Sequence, residues 1–167
     1  MTGDTAIVLE LPDESALERL ARAMADLARR AGTSWRVTHL HGELGAGKTA
    51  WVRAFLRSVG VKGAVRSPTF TLVEPYETEI GPCFHLDLYR LTDPEELEFL
   101  GIRDLDSGES ALFVEWPERG EGALPEPDLV VYLDYAGAGR VARIVAKNTE
   151  LDRLIHADVH INAMKSH

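Results

Sequence analysis

Trp35-Arg-Val-Thr-His-Leu-His41, followed by Gly42-Glu-Leu-Gly-Ala-Gly-Lys-Thr49, decides the fold. The second half matches G-x-x-x-x-G-K-[ST] at every fixed position, the pattern of a phosphate-binding loop. The first half is short and partly β-branched, and it alternates Trp35, Val37, His39 and His41 with Arg36, Thr38 and Leu40, as a strand does. Downstream, Ala50, Val52, Phe55, Leu56 and Val59 recur at helical spacing, and Gly60 stands where a helix would stop. Strand, loop and helix thus follow in the order the motif needs. Glycines at 42, 45 and 47 let the backbone turn tightly around an anion. The amides of residues 45 to 49 would face phosphate oxygens at the positive end of the helix dipole. The candidate nucleotide-binding segment is therefore Leu44, Gly45, Ala46, Gly47, Lys48 and Thr49, with Lys48 bridging the β- and γ-phosphates and the Thr49 hydroxyl on a Mg²⁺ ion. A glycine-rich turn bearing a surface lysine is the competing reading, and the flanking strand and helix argue against it.

At 167 residues the chain fits one domain with a sizeable core. A net charge of −9 argues against holding free nucleic acid on a broad basic surface, because Lys and Arg neutralising phosphates dominate that affinity. A nucleic-acid pathway reached through protein partners stays open. Cys83 is the only cysteine, which suits a reducing compartment and reads as a buried hydrophobe. Asp4 and Glu10 precede any Lys or Arg, the reverse of a secretory signal, and apolar runs such as Leu129 to Leu133 are too short for a bilayer. A soluble, cytoplasmic protein is expected.

Residues 5 to 11 read as a strand. The helix after them carries Leu17, Leu20, Met24, Leu27 and Ala31 on one stripe, Asp13 as N-cap and Gly32 as its stop. Its Arg29-Arg30 end complements the helix dipole. Phe70 to Tyr76 and Cys83 to Tyr89 read as a hairpin, Asp93-Pro94 opens a short helix through Leu100, and Ala111 to Val114 is a strand covered on both faces. Residues 117 to 127 read as an exposed connection. Leu129 to Tyr135, turning at Ala136 to Gly139 and returning through Ile144, form a last hairpin. Residues 149 to 161 read as a terminal helix with Leu151, Leu154, Ile155 and Val159 inward, followed by a frayed tail.

Ligands of an open α/β sheet sit beyond the carboxyl ends of its strands. Glu115 ends the most buried strand, which makes it the candidate magnesium-side carboxylate beside Thr49. On the strand before it, Phe84, Leu86 and Leu88 share one face while His85, Asp87 and Tyr89 share the other. That polar face reads either as solvated or as a site, with Asp87 orienting a water and His85 supporting it. Within Ser67-Pro68-Thr69, Thr69 reads either as a γ-phosphate sensor or as part of an ordinary turn. Arg140 reads as a phosphate contact or a solvent-facing strand residue, and Trp116 as a partner anchor or a cap on the core.

In order along nearly the whole chain, the segments Leu11-Pro-Asp-Glu14, Gly42 to Thr49, Ser67-Pro-Thr-Phe-Thr-Leu-Val-Glu-Pro-Tyr76, His85-Leu-Asp-Leu-Tyr-Arg-Leu91, Asp93 to Ile102 and Val114-Glu-Trp-Pro117 resemble the TsaE family, formerly YjeE. That family is the small ATPase of bacterial tRNA threonylcarbamoyladenosine biosynthesis. The resemblance implies a P-loop NTPase fold of the α/β class, with a mixed sheet whose central parallel strands are flanked by antiparallel ones and helices on both faces. It implies ATP or ADP and Mg²⁺ as ligands, with Thr49 and Glu115 on the metal and Lys48 on the phosphates. Asp87 and Trp116 would matter for turnover or partner engagement, and Glu14 and Arg140 would be further nucleotide contacts. It also implies TsaD and TsaB as partners, with tRNA reached only through them and ATP hydrolysis resetting the complex. Glu43 and Leu86 stand where aspartate and phenylalanine are frequent in that family.

Other classes fit less well. A GTPase needs an Asn-Lys-x-Asp element, which this sequence lacks; Asp134-Tyr-Ala-Gly137 matches D-x-x-G only by letter. A small-molecule kinase needs a lid, for which Arg140 to Arg143 is thin. A nucleotide-responsive binding module with negligible chemistry remains the rival.

Overall fold

The computed structural model describes residues 6–68, 70–105 and 108–165. Strands β1 (Ile7–Leu11), β2 (Val37–His41), β3 (Val73–Thr78), β4 (Gly81–Asp87), β5 (Ala111–Glu115), β6 (Leu129–Ala136) and β7 (Gly139–Ala146) form one sheet in the order β1-β7-β6-β2-β5-β4-β3. Strands β6, β2, β5 and β4 run parallel; at one margin β7 lies antiparallel to both β6 and β1, and at the other β3 lies antiparallel to β4. The helices are α1 (Glu14–Ala31), α2 (Lys48–Ser58), α3 (Glu95–Phe99), α4 (Ile102–Leu105), α5 (Thr149–Ala157) and α6 (Val159–Asn162).

Two apolar clusters cover the sheet. The larger joins Leu20, Met24 and Leu27 of α1 and Trp51, Phe55 and Leu56 of α2 to Cys83, Phe113 and Val131. The smaller joins Leu97 of α3 and Ile102 of α4 to Leu86, Leu112 and Val114. Alternation on β5 sends Phe113 to one cluster and its neighbours Leu112 and Val114 to the other, so helices lie on both faces. Each fully buried leucine of this kind stabilises the fold by about 1.5–3 kcal/mol. Helix α1 forms where its pattern predicts: Asp13 Oδ1 accepts from the Ala16 amide at 2.8 Å, and Gly32 closes it with φ 54°. Such a cap contributes about 1 kcal/mol.

Five expectations change. Strand β3 starts at Val73, not Phe70, because residues 70–72 are still turning: the Leu72 amide donates to Pro68 O, and Leu72 itself has φ 63°. The connection after β5 is not simply exposed, since Pro117, Gly120 and Ala123 are buried. Arg29 and Arg30 do more than complement a dipole, pairing with Asp26 and Glu79 and with Asp158. The terminal helix is broken at Asp158, whose Oδ1 accepts from the amides of His160 and Ile161 and starts α6 anew. The break turns Val159 outward and Ile161 inward. Beyond it the described residues stay paired as far as 165, with the Glu10 amide donating to Met164 O and Lys165 bridging Leu9. Among the described residues no helix is long and apolar enough to cross a membrane.

Candidate active site

Sheet register sets the site. Leu40 of β2 pairs with Glu115 of β5, and Glu115 pairs with Asp87 of β4, so the loop leaving β2 emerges beside two carboxylates. Both lie on the face that α2 covers, since they continue the alternation of Cys83 and Phe113. The loop itself needs its glycines: Gly47 caps α2 in a left-handed conformation (φ 111°), and a Cβ on Gly45 would stand 2.7 Å from the Tyr135 hydroxyl. The Ala46 amide donates to Glu43 O at 3.1 Å and so is tied inside the loop, unlike the expectation that all five amides face an anion.

Lys48 is 4% exposed. Its ammonium donates to the carbonyls of Gly42 and, at 2.9 Å, Glu43, and stands 4.2 Å over the Trp116 ring. Burial pulls its pKa below the ordinary lysine value, and the carboxylates of Glu115, Asp87 and Glu118 oppose that pull. The Thr49 hydroxyl lies 2.9 Å from each oxygen of Glu115. Glu115 is buried, and its Oε2 also meets His85 Nε2 at 2.5 Å. His85 is fully enclosed and its Nδ1 has no partner among the described residues, so the tautomer carrying its proton on Nε2 gives the carboxylate a donor.

The polar face of β4 is therefore not solvated at His85. Asp87 is half-buried, with Ser67 Oγ donating to Oδ2 and the Tyr89 amide donating to Oδ1 at 3.0 Å. Thr69 lies outside the described residues; Ser67, two positions before it, is brought to Asp87. Trp116 is half-buried and packs against the smaller apolar cluster, as a cap on the core would, and it also meets the site. It holds a left-handed conformation (φ 57°), which costs about 1–2 kcal/mol for such a residue, and its ring lies between Lys48 and Tyr89. Backbone strain of this kind clusters at functional sites.

A cavity of about 430 Å³ joins Lys48, Thr49, Ser67, Asp87, Glu115 and Trp116. Behind the loop a second, of about 270 Å³, is bordered by Glu14, Leu17, Gly45, Gly47 and Arg140. Glu14 is exposed there, and Arg140 donates to the carbonyls of Gly45 and Ala46, both at 3.2 Å. Leu44 is exposed at the loop's tip. A larger groove of about 730 Å³, between α1 and the C-terminal segment, includes none of these loop residues.

The donor set suits magnesium. Thr49 and Glu115 offer hard oxygens side by side, and no group of three or more His, Cys, Asp or Glu that could hold a metal occurs among the described residues. Magnesium is characteristically held by one or two protein oxygens together with water and phosphate.

Residues 11–145 match the family described as "Threonylcarbamoyl adenosine biosynthesis protein TsaE". The chain is 41% identical over 148 residues to the tRNA threonylcarbamoyladenosine biosynthesis protein TsaE of Haemophilus influenzae, covering 88% of this chain and 94% of that one. It is 44% identical over 115 residues to the protein of that name from Aquifex aeolicus, covering 68% and 77%. In structure it is similar to Bacillus subtilis YdiB, with a TM-score of 0.74 at 23% identity over 93% of this chain and 95% of that one. The architecture is the mixed-sheet P-loop fold.

Proposed function

The chain belongs to the TsaE family, and from that membership we propose that it serves tRNA threonylcarbamoyladenosine biosynthesis as a Mg²⁺-dependent ATPase. The observation that carries the reading is the Thr49 hydroxyl set 2.9 Å from the Glu115 carboxylate at the end of a complete phosphate loop. Thr49 and Glu115 would hold the metal, which when bound neutralises charge on the phosphate oxygens. Lys48, held by the carbonyls of Gly42 and Glu43, would exchange those acceptors for the β- and γ-phosphates. Asp87, steadied by Ser67 and the Tyr89 amide, would orient the attacking water. His85 fixes one oxygen of Glu115, and Trp116 sets where Lys48 rests. Glu14 borders the cavity behind the loop and would contact the nucleotide beyond its phosphates.

The proposed partners are TsaD and TsaB, with hydrolysis resetting their complex, tRNA engaged only through them, and the cytoplasm as the place of action. A net charge of −9 supports protein partners over a direct RNA surface. The test is phosphate release from Mg-ATP with and without reconstituted TsaB and TsaD. Release should rise when both are added and vanish in Lys48→Ala through lost nucleotide binding. Partners that bind yet leave release unchanged would make the chain a nucleotide-responsive binding module instead.

A further inference from the structure

We propose that Tyr135 and Arg140 are positioning residues that hold the phosphate loop from behind, so that it is shaped for an anion before nucleotide arrives. The inference rests on the nucleotide-binding reading above. The two residues face each other as register partners near the tip of the β6–β7 hairpin, and the guanidinium stacks 4.1 Å over the tyrosine ring. From that pair the Tyr135 hydroxyl donates to Leu44 O at 2.6 Å, Arg140 Nη2 to Gly45 O and Arg140 Nε to Ala46 O. Three consecutive loop carbonyls are thereby engaged by one hairpin.

The physical consequence follows from the peptide plane. N–H and C=O of one peptide unit point in opposite directions, so fixing a carbonyl on the rear of the loop fixes the next amide toward the front. The carbonyls of Leu44 and Ala46 belong to the same peptide units as the amides of Gly45 and Gly47, which the clamp therefore turns forward, while the Ala46 amide, across the peptide from the Gly45 carbonyl, is held by Glu43 O. Glycines at 45 and 47 make this loop easy to bend and correspondingly costly to order on binding. The clamp supplies that order in advance. It is itself anchored, because Arg140 also pairs with Leu11 of β1, and its Nη1 donates to Gly139 O at 2.9 Å. Gly45 fits the arrangement, since any side chain there would collide with the Tyr135 hydroxyl.

Tyr135 is 48% exposed, so removing its hydroxyl leaves the core intact. The experiment titrates Mg²⁺-ADP into wild type, Tyr135→Phe, Arg140→Met and Arg140→Lys by calorimetry, with a thermal melt of each protein and partner-stimulated phosphate release at saturating ATP. Tyr135→Phe should weaken binding about fivefold, with its melting midpoint and saturated rate near wild type, and Arg140→Met should weaken binding at least about tenfold. Arg140→Lys keeps the charge but loses the fork that spans two carbonyls, so it should bind like Arg140→Met. Amide exchange of residues 43–48 in the nucleotide-free protein should quicken in the same variants. Unchanged affinity in Tyr135→Phe and Arg140→Met overturns the clamp, and so does full rescue by Arg140→Lys, which would leave only a charge effect. Wild type that takes up no Mg²⁺-ADP would instead sink the nucleotide reading itself.

Discussion

Two carboxylates stand at opposite ends of β2 and its neighbours and do opposite work. At the amino end Asp128 Oδ2 accepts from the amides of Arg36 and Val37 at 2.9 and 3.0 Å, while its own amide donates to Val37 O. At the carboxyl end Glu115 is satisfied by the Thr49 hydroxyl and the His85 ring. The partners of Asp128 are main-chain groups fixed by the fold, with nothing else to bind. Those of Glu115 are side chains, one of which would, on the function proposed above, give way to a cation and its water. Half-buried Asp128 is thus held by the backbone, and buried Glu115 by side chains.

The sharpest way to break this contrast is at Glu115. Its replacement by alanine should cut partner-stimulated phosphate release by at least about a hundredfold, while nucleotide still binds through the loop. Stability should change little, because the orphaned His85 donor and the relief of a buried charge oppose each other. Equal release by wild type and Glu115→Ala would end the assignment. The mirror experiment is Asp128→Ala, which leaves two main-chain donors without an acceptor and should cost about 2 kcal/mol of stability. Urea unfolding measures that loss, and calorimetry should find nucleotide affinity unchanged. A variant of wild-type stability, or one that stays folded yet loses nucleotide, would erase the distinction between the two ends.

The carboxyl end was the more legible in the sequence. The loop announces itself by spacing, and Glu115 ends a run, Ala111 to Val114, too apolar to be anything but an inner strand. Asp13 and Gly32 bound α1 because capping is local chemistry. His85 was harder: period-two alternation tells which residues share a face, and only the placement of α2 tells whether that face is dry. Tyr135 and Asp128 act on carbonyls and amides 91 or 92 residues distant, which no local pattern carries. Trp116 reads as an aromatic beside proline, and its role under Lys48 depends on a left-handed backbone that the residue type disfavours. The break at Asp158 was hidden because the apolar spacing of residues 149 to 161 fits one helix as well as two.

Between the two ends His39 sharpens the same contrast with the smallest effect. It lies on the other face of β2, its Nε2 has no partner among the described residues, and burial lowers its pKa from 6.5 to about 4. The charge of His41 adds to that shift, and a hydrogen bond to the Pro125 backbone opposes it. Where both states are neutral, above about pH 6.5, this residue contributes no pH dependence. As pH falls further, the unfolded chain takes up a proton that the folded chain refuses until about pH 4, so stability drops across that window. Between about pH 7.5 and about pH 5.5 the loss from this residue should be about 1 kcal/mol. His39→Gln, which cannot titrate, should remove that part of the slope in urea unfolding. Identical slopes would mean that the ring is protonated in the fold, and then β2 would carry charge at its middle as well as beside its ends.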